Sequence, residues 1–375
     1  MPSSLRRTVL HGFHVAQKAR MAPFAGYEMP IQYPLGVIQE HLHTRQSAGL
    51  FDLSHVGCFE LHGPDRERFF EWITPCGMAE LKEGQAGITM LLNREGGVKD
   101  DCIICKYPNH LFCVVNAGCK DKDLAHVRSC LEEFKGDTTM IEVDRAVLSL
   151  QGPKAAEVIA PFVEDLEKLV FMRSRLNVSL KGIPVTLTRC GYSGEDGFDL
   201  LTPPEHALQL AELLLQNPNV KLAGLGARDT LRIEAGLNLY GHELNEDISP
   251  VAARIMWCIP KRRMAHGGFI GHESLKKLVE SPELVRRLRV GIRSVSRGPV
   301  PRAGMPLLVD GEPAGEVSSG APSPTLGCNI AMGFVDRAKA NIGQKLEIDV
   351  RGRRVPGEIV QARFVPIRYY KGTKK

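Results

Sequence analysis

Two adjacent carboxylates raise the first question of chemistry. In GGVKDDCIIC, residues 96–105, Asp100 and Asp101 sit at the mouth of an apolar run. Ionised carboxylates are rarely buried without a partner. Residues 98–106 read as a strand, so successive side chains point to opposite faces and the two acids cannot do the same job. One is free to be solvated beside the Gly96-Gly97 turn. The other points to the interior or into a cavity, where a carboxylate serves as proton acceptor or ligand anchor. Alternation alone does not say which is which.

The same alternation disposes of Cys102-x-x-Cys105, because thiols three apart on a strand face opposite ways and cannot share a metal or a disulfide exchange. His41-x-His43 reads as two imidazoles on one strand face with no third ligand at a diagnostic spacing, so no metal is expected. GYSGEDG (191–197) is followed by a strand and not a helix, which makes it a hairpin turn and not a dinucleotide loop. Gly224-x-Gly226 opens a helix but lacks the third glycine of that fingerprint. On that helix Arg228, Asp229, Arg232 and Glu234 crowd together, with Arg228 and Arg232 on one face. Two readings stand: an internal ion-pair cluster, or a clamp for a ligand carboxylate built on the planar guanidinium. Lys261, Arg262 and Arg263, with Arg286, Arg287 and Arg289, read as solvated runs that could steer an acidic partner if they share a face.

The elements that must position these residues fall into a repeat. FELHGPDRERFFEWI (59–73) and LSLQGPKAAEVIAPF (148–162) each give an apolar run, Gly-Pro and a helical pattern. Pro64 and Pro153 suit a first helical turn. The order strand, helix, strand, strand, helix then appears twice, the second helix running from Pro204 to about Gln216. This is the pattern of ferredoxin-like units. From about residue 285 short β-type runs alternate with turn signals, as in a small barrel or sandwich. The expected fold is α+β: residues 1–50 and 141–284 as one module with a helical connector, 51–140 as a second module carrying Asp101, and 285–375 as an all-β domain.

Bulk properties exclude several classes. The 375 residues carry a net charge of +5, with 24% charged and 43% hydrophobic residues. That suits an anionic ligand but is too weak to indicate nucleic acid, and no apolar run reaches the roughly 20 residues that span a bilayer. Ten scattered cysteines read as reduced thiols of an intracellular protein. The first 27 residues hold Arg6, Arg7, Lys18 and Arg20 and no acid, a texture shared by transit peptides and by ordinary folded chain.

Taken together, FAG at 24–26 with Pro30, HTRQSAGLFDLSHV (43–56), GGVKDD (96–101), NAGCKDKD (116–123), TRCGYSGEDGFD (188–199), GLGARDTLRIEAGLNLYGHEL (224–244), SGAPSPTLGCNIAMGFV (319–335) and Tyr369-Tyr370 resemble the T-protein, the aminomethyltransferase family of the glycine cleavage system, over essentially the whole chain. The resemblance implies a three-domain cloverleaf around a folate channel. It implies tetrahydrofolate as acceptor, a lipoylated H-protein as partner and donor of an aminomethyl group, and methylenetetrahydrofolate, ammonia and the reduced lipoyl arm as products. It implies that Asp101 is the essential carboxylate beside the pterin. Asp199 matches a pterin-binding glutamate and is one methylene shorter. Arg228, Tyr192, Trp257, Asn116 and Tyr369 match folate-side positions. Tyr27 stands where the motif usually has Trp and Val56 where it often has Met. Asp100 is left as the outward neighbour. A folate-binding relative that assists iron–sulfur assembly is the alternative, and the folate module of a flavin-dependent demethylase a weaker one. The family implies the mitochondrial matrix in a eukaryote and the cytoplasm in a bacterium.

Overall fold

The computed structural model describes residues 5–295 and 298–372. Two copies of one unit make up most of it. The first runs strand Gly57–His62, helix Arg66–Ile73, strands Gln85–Leu92, Val98–Lys106 and Leu111–Val115, helix Lys120–Glu133, strand Thr139–Glu142. The second runs strand Ala146–Gln151, helix Ala155–Ile159, strands Arg173–Leu180, Ile183–Arg189 and Gly197–Thr202, helix Ala207–Leu215, strand Val220–Leu222. Each unit thus places three strands between its helices, not two, and adds a closing strand. The strand that the periodicity hides is Arg173–Leu180, where only Ser174 and Leu180 are buried. Asn177 takes φ 56° there and the pairing slips between Arg175 and Val178, so neither alternation nor a continuous apolar run marks it.

The two units are halves of a single eleven-stranded sheet. They join antiparallel where Arg173 meets Gln85. Outward from that junction each half runs second, third, fourth and first strand, then the closing strand, with Ala48–Asp52 inserted before the last in the second half. One face of each half is covered by its own helices. Leu148, Leu150, Phe198 and Leu200 pack there with Ala207, Leu210 and Leu214; Cys102, Ile104 and Cys113 pack with Phe69, Phe70, Leu124 and Val127. The opposite faces share a third core, which joins Ala86, Cys105 and Phe112 of one half to Val147 and Leu201 of the other and to Met29 and Leu231. That inner layer is where alternation sends Asp101 and Asp199.

The C-terminal strands Arg287–Ser294, Cys328–Asp336, Glu312–Ser323, Pro306–Val309, Lys345–Val350 and Arg353–Val360 close a barrel in that order. Closure leaves no free sheet edge. Helix Leu225–Ala235 locks the barrel to the sheet. Ile233 packs against Ala321, Ile330 and Met332. Glu234, fully buried, accepts hydrogen bonds from Arg45 at 2.9 Å, from Ser323 and from Thr325 at 2.8 Å. Arg232 donates to Glu243 at 2.8 Å and Ser319 at 2.7 Å.

Several expectations change here. His41 and His43 lie on helix Val37–Gln46, not a strand, and diverge: His41 bonds Thr230 at 2.8 Å and His43 the Asn219 carbonyl at 2.9 Å. The basic runs are not one solvated face. Arg263 and Arg289 are buried on the carbonyls of Gly267 and Ala253, while Arg262 pairs with Glu71 and Glu80. The basic N-terminal segment is folded from Arg6 on, with Arg6 over the Tyr27 ring, helix His11–Ala16 and the hairpin Arg20–Phe24 with Tyr27–Gln32. Among the described residues no helix is long and apolar enough to cross a membrane.

Burial pushes the Glu234 carboxyl up, but the hydrogen bonds and charges of His41, Ser323 and Arg45 outweigh it and hold it at about 2. A depressed folded-state value contributes stability that is present above the unfolded value, about 4.3, and lost as pH falls towards 2. Glu234→Gln is expected to remove that acid-side slope from urea unfolding midpoints measured between pH 5 and 2.5. Glu234→Ala is expected to cost on the order of 3 kcal/mol at pH 7, because it leaves the buried Arg45 with Glu195 alone and takes the acceptor from Ser323 and Thr325. A cost below about 1 kcal/mol would mean that this buried cluster does not hold helix Val37–Gln46 and the barrel in place.

Candidate functional site

The Gly96-Gly97 turn sets the start of the Asp-bearing strand. Gly96 takes φ 83°, and a Cβ on Gly97 would lie 1.7 Å from the Glu246 carbonyl oxygen, so the chain can pass there only without side chains. Beyond it Asp101 faces the inner layer, partly buried. Asn116, at the end of the neighbouring strand, donates its side-chain amide to Asp101 Oδ1 at 2.9 Å and to Asp100 Oδ1 at 2.9 Å. Burial, and then the Asp100 charge, push the Asp101 carboxyl up to about 7 against the pull of the Asn116 bond. A carboxyl poised there can accept and return a proton near neutrality.

Arg228 projects from helix Leu225–Ala235 into the same layer, its guanidinium 4.6 Å over the Tyr192 ring. Its guanidinium makes no hydrogen bond or ion pair with the described residues, unlike Arg232 one turn on. The ion-pair reading of this helix therefore holds for Arg232 and Glu234, and Arg228, whose fork is free among the described residues, is the one left for the clamp reading. Burial lowers its proton affinity, while Asp199 and Tyr192 favour its charge. Tyr192 donates its hydroxyl to the Asn238 carbonyl and lies in the fields of both Asp101 and Arg228.

Asp199 forms the other wall. It accepts Ser149 Oγ at 2.6 Å and the Cys190 thiol at 3.2 Å. Burial raises its carboxyl above the usual range, against these bonds and Arg228. Tyr369 stacks on Phe171 with centroids 4.0 Å apart, beside Cys190 and at a surface pocket of about 450 Å³ lined also by Glu195, Arg368 and Lys371. Trp257 stands 70% exposed, next to Cys258, whose thiol feels the Asp101 charge. Its ring is on the surface near the Asp101 end, not sandwiched in the layer. Fields and contacts thus link Asp101, Asn116, Tyr192, Arg228 and Asp199, with Tyr369 reached through Cys190.

Asp100 is not the outward, solvated neighbour that the turn suggested. It is fully buried, on the face covered by helices Arg66–Ile73 and Lys120–Glu133, because both faces of this sheet are covered. Cys102 and Cys105 do face opposite cores. Ser149, Cys190 and Asp123 escaped attention in the sequence: the first two are small residues in strand patterns, and Asp123 looks like an ordinary acid in a first helical turn. Asp100, Cys119 and Asp123 bring their ligating atoms within 4.8 Å of one another, all buried.

A folded-state value near 7 lies above the unfolded carboxylate value, so the native state binds the extra proton and Asp101 lowers stability as pH rises from about 4 to 7. Asp101→Asn keeps an acceptor for Asn116 and removes that penalty. It is expected to stabilise the fold by about 1 kcal/mol or more at pH 8 and by nothing at pH 4, in paired denaturant titrations. Equal effects at both pH values would contradict the raised carboxyl.

Comparison with known proteins places this geometry. The GCVT N-terminal domain matches residues 10–263, and the glycine cleavage T-protein C-terminal barrel domain matches residues 286–366. The mitochondrial aminomethyltransferase of Pisum sativum is 43% identical over 98% of this chain and 91% of its own. That of Gallus gallus is 42% identical over 98% and 95%. The crystal structure of glycine cleavage system aminomethyltransferase T from Bartonella henselae superposes with a TM-score of 0.93 at 35% identity, covering 98% of this chain and all of that one.

Proposed function

The chain belongs to the glycine cleavage T-protein family of aminomethyltransferases, and on that premise we propose that tetrahydrofolate binds in the inner layer between Asp101, Arg228 and Asp199. There it takes a one-carbon unit from the aminomethyl-dihydrolipoyl arm of an H-protein. A folate nitrogen attacks the methylene carbon, ammonia leaves, and closure on the second nitrogen releases the lipoyl sulfur. The products are 5,10-methylenetetrahydrofolate, ammonia and the dihydrolipoyl partner.

The observation that carries this reading is the Asp101 carboxyl, held near neutrality on the same layer as an uncommitted arginine. Asp101 accepts hydrogen bonds from the pterin and manages the protons that nitrogen attack displaces. Asp199, already fixed by Ser149 and Cys190, offers its remaining lone pairs to the pterin, through a water where the missing methylene leaves a gap. Arg228 meets a carboxylate of the glutamyl tail or fixes the wall beside it. Tyr192 is ring surface under Arg228, and Trp257 and Tyr369 are aromatic faces at two approaches, suited to stacking. Asn116 holds Asp101 in place. The iron–sulfur alternative is not favoured, since the full-length relatives are aminomethyltransferases. Those relatives are named mitochondrial, which supports the matrix as the place of work.

The test mixes the protein with tetrahydrofolate and aminomethylated H-protein and measures ammonia and methylenetetrahydrofolate. Turnover is expected, with Asp101→Asn slower by about 10²–10⁴-fold and a smaller change in folate binding. Arg228→Ala is expected to weaken folate binding about tenfold or more, from loss of a charge-assisted bond. Folate binding without turnover in the unaltered protein would reduce it to a folate-binding module.

A further inference from the structure

Behind Asp101, on the covered face of its strand, lies a second pair of acids that the reaction does not use. Asp123, in the first turn of helix Lys120–Glu133, and Asp100 are both wholly inaccessible to solvent. Their carboxyl groups approach within 4.8 Å. Their partners differ sharply. Asp100 accepts the Asn116 backbone N–H at 3.0 Å and its side-chain amide at 2.9 Å, and the Cys119 thiol lies within 4.8 Å of it. Neither oxygen of Asp123 has a donor among the described residues. Two bare carboxylates this close cannot both stay ionised in a dry site. The one that collects the donors is the anion, and the one with none must be the donor itself.

We propose that Asp123 carries a proton in the working enzyme and donates it to Asp100, which makes Asp123 a positioning residue for Asp101. The link runs through Asn116, whose single side-chain amide donates to Asp100 and to Asp101 at once. An ionised Asp123 would repel Asp100, loosen the amide from it and let Asp101 drift. The groups facing the pair agree. Cys102 and Cys113 are thiols whose proton loss Asp123 opposes, joined by Asp100 at Cys102. Lys122 and Lys99 are the nearby cations, but the Lys122 ammonium is spent on the Lys99 carbonyl, Tyr240 and Glu246, and Lys99 pairs with Glu246. Burial first, and then Asp100, push the Asp123 carboxyl up to about 10. Although Asp100, Cys119 and Asp123 also lie close enough for a cation, the Cys119 thiol is held protonated by burial and by the same two acids, which makes it a poor ligand.

The inference rests on Asp101 acting in the proposed reaction, but its decisive measurement does not. In protein labelled with carbon-13 at the aspartate carboxyl groups, the resonance missing from Asp123→Asn is expected to stay at the protonated position from pH 5 to pH 8. A carboxylate position at pH 7.5 overturns the proposal. In turnover, Asp123→Asn keeps an N–H donor for Asp100 and is expected to stay within about threefold of wild type with an unmoved pH profile. Asp123→Ala is expected to lose about tenfold or more in kcat and to move the acid limb of the profile to higher pH, because the Asp100 charge, no longer shared with a donor, then bears fully on Asp101. Equal losses from Asn and Ala contradict the donor role, as does one equivalent of tightly held metal in the purified protein whose removal lowers Tm. If the resonance behaves as expected while Asp101→Asn keeps full turnover, the catalytic reading fails and the proton assignment stands.

Discussion

Helix Leu225–Ala235 carries two buried ion pairs, and the geometry of the molecule depends on them. Charges taken out of water are tolerated only when paired and fully hydrogen-bonded. Glu234 meets this demand with Arg45 from helix Val37–Gln46 and with hydroxyls of the barrel loop at Ser323 and Thr325. Arg232 meets it with Glu243 and Ser319. These partners come from three different parts of the chain, so satisfying one helix fixes all three relative to one another. Apolar packing alone would specify that register less sharply, since it is not directional.

The same helix carries Arg228 on the face turned to the inner layer. Its neighbours are committed to structure, and Arg228 is the charge left over. Across the layer the two half-sheets present Asp101 and Asp199 by the same rule of alternation, from equivalent sides of a repeated unit. The repeat therefore does more than build mass. It puts Asp101 and Asp199 on one inner layer, and the connecting helix adds Arg228, which lies in the field of Asp199. The three acids at the Asp101 strand then differ by surroundings: Asp100 is surrounded by donors, Asp101 has one donor and an open side, and Asp123 has none among the described residues.

Much of this was legible along the chain. The Gly-Pro helix starts, the hairpin at GYSGEDG and the all-β texture after residue 285 mark real elements, because turns and periodicity are local properties. Opposed faces for Cys102 and Cys105 followed from the strand period alone. The strand Arg173–Leu180 was not legible, since its residues are polar and its partners distant in sequence. His41 looked like a strand residue for a similar reason: helix Val37–Gln46 is polar on most sides and gets its stability from buried hydrogen bonds, not from an apolar stripe.

Residue types and spacing by themselves determined that Asp100 and Asp101 point to opposite faces, that Arg228 and Arg232 share a face, and that the likeness to one family spans the chain. Only the tertiary structure decided which way each group points energetically. Whether a strand face is wet or dry depends on what packs over it, and here helices cover one face and the other half of the sheet covers the other. That is why Asp100 is buried and not solvated, why Arg228 is free and Arg232 is not, and why an unremarked acid twenty-two residues after Asp101 comes to rest beside its neighbour.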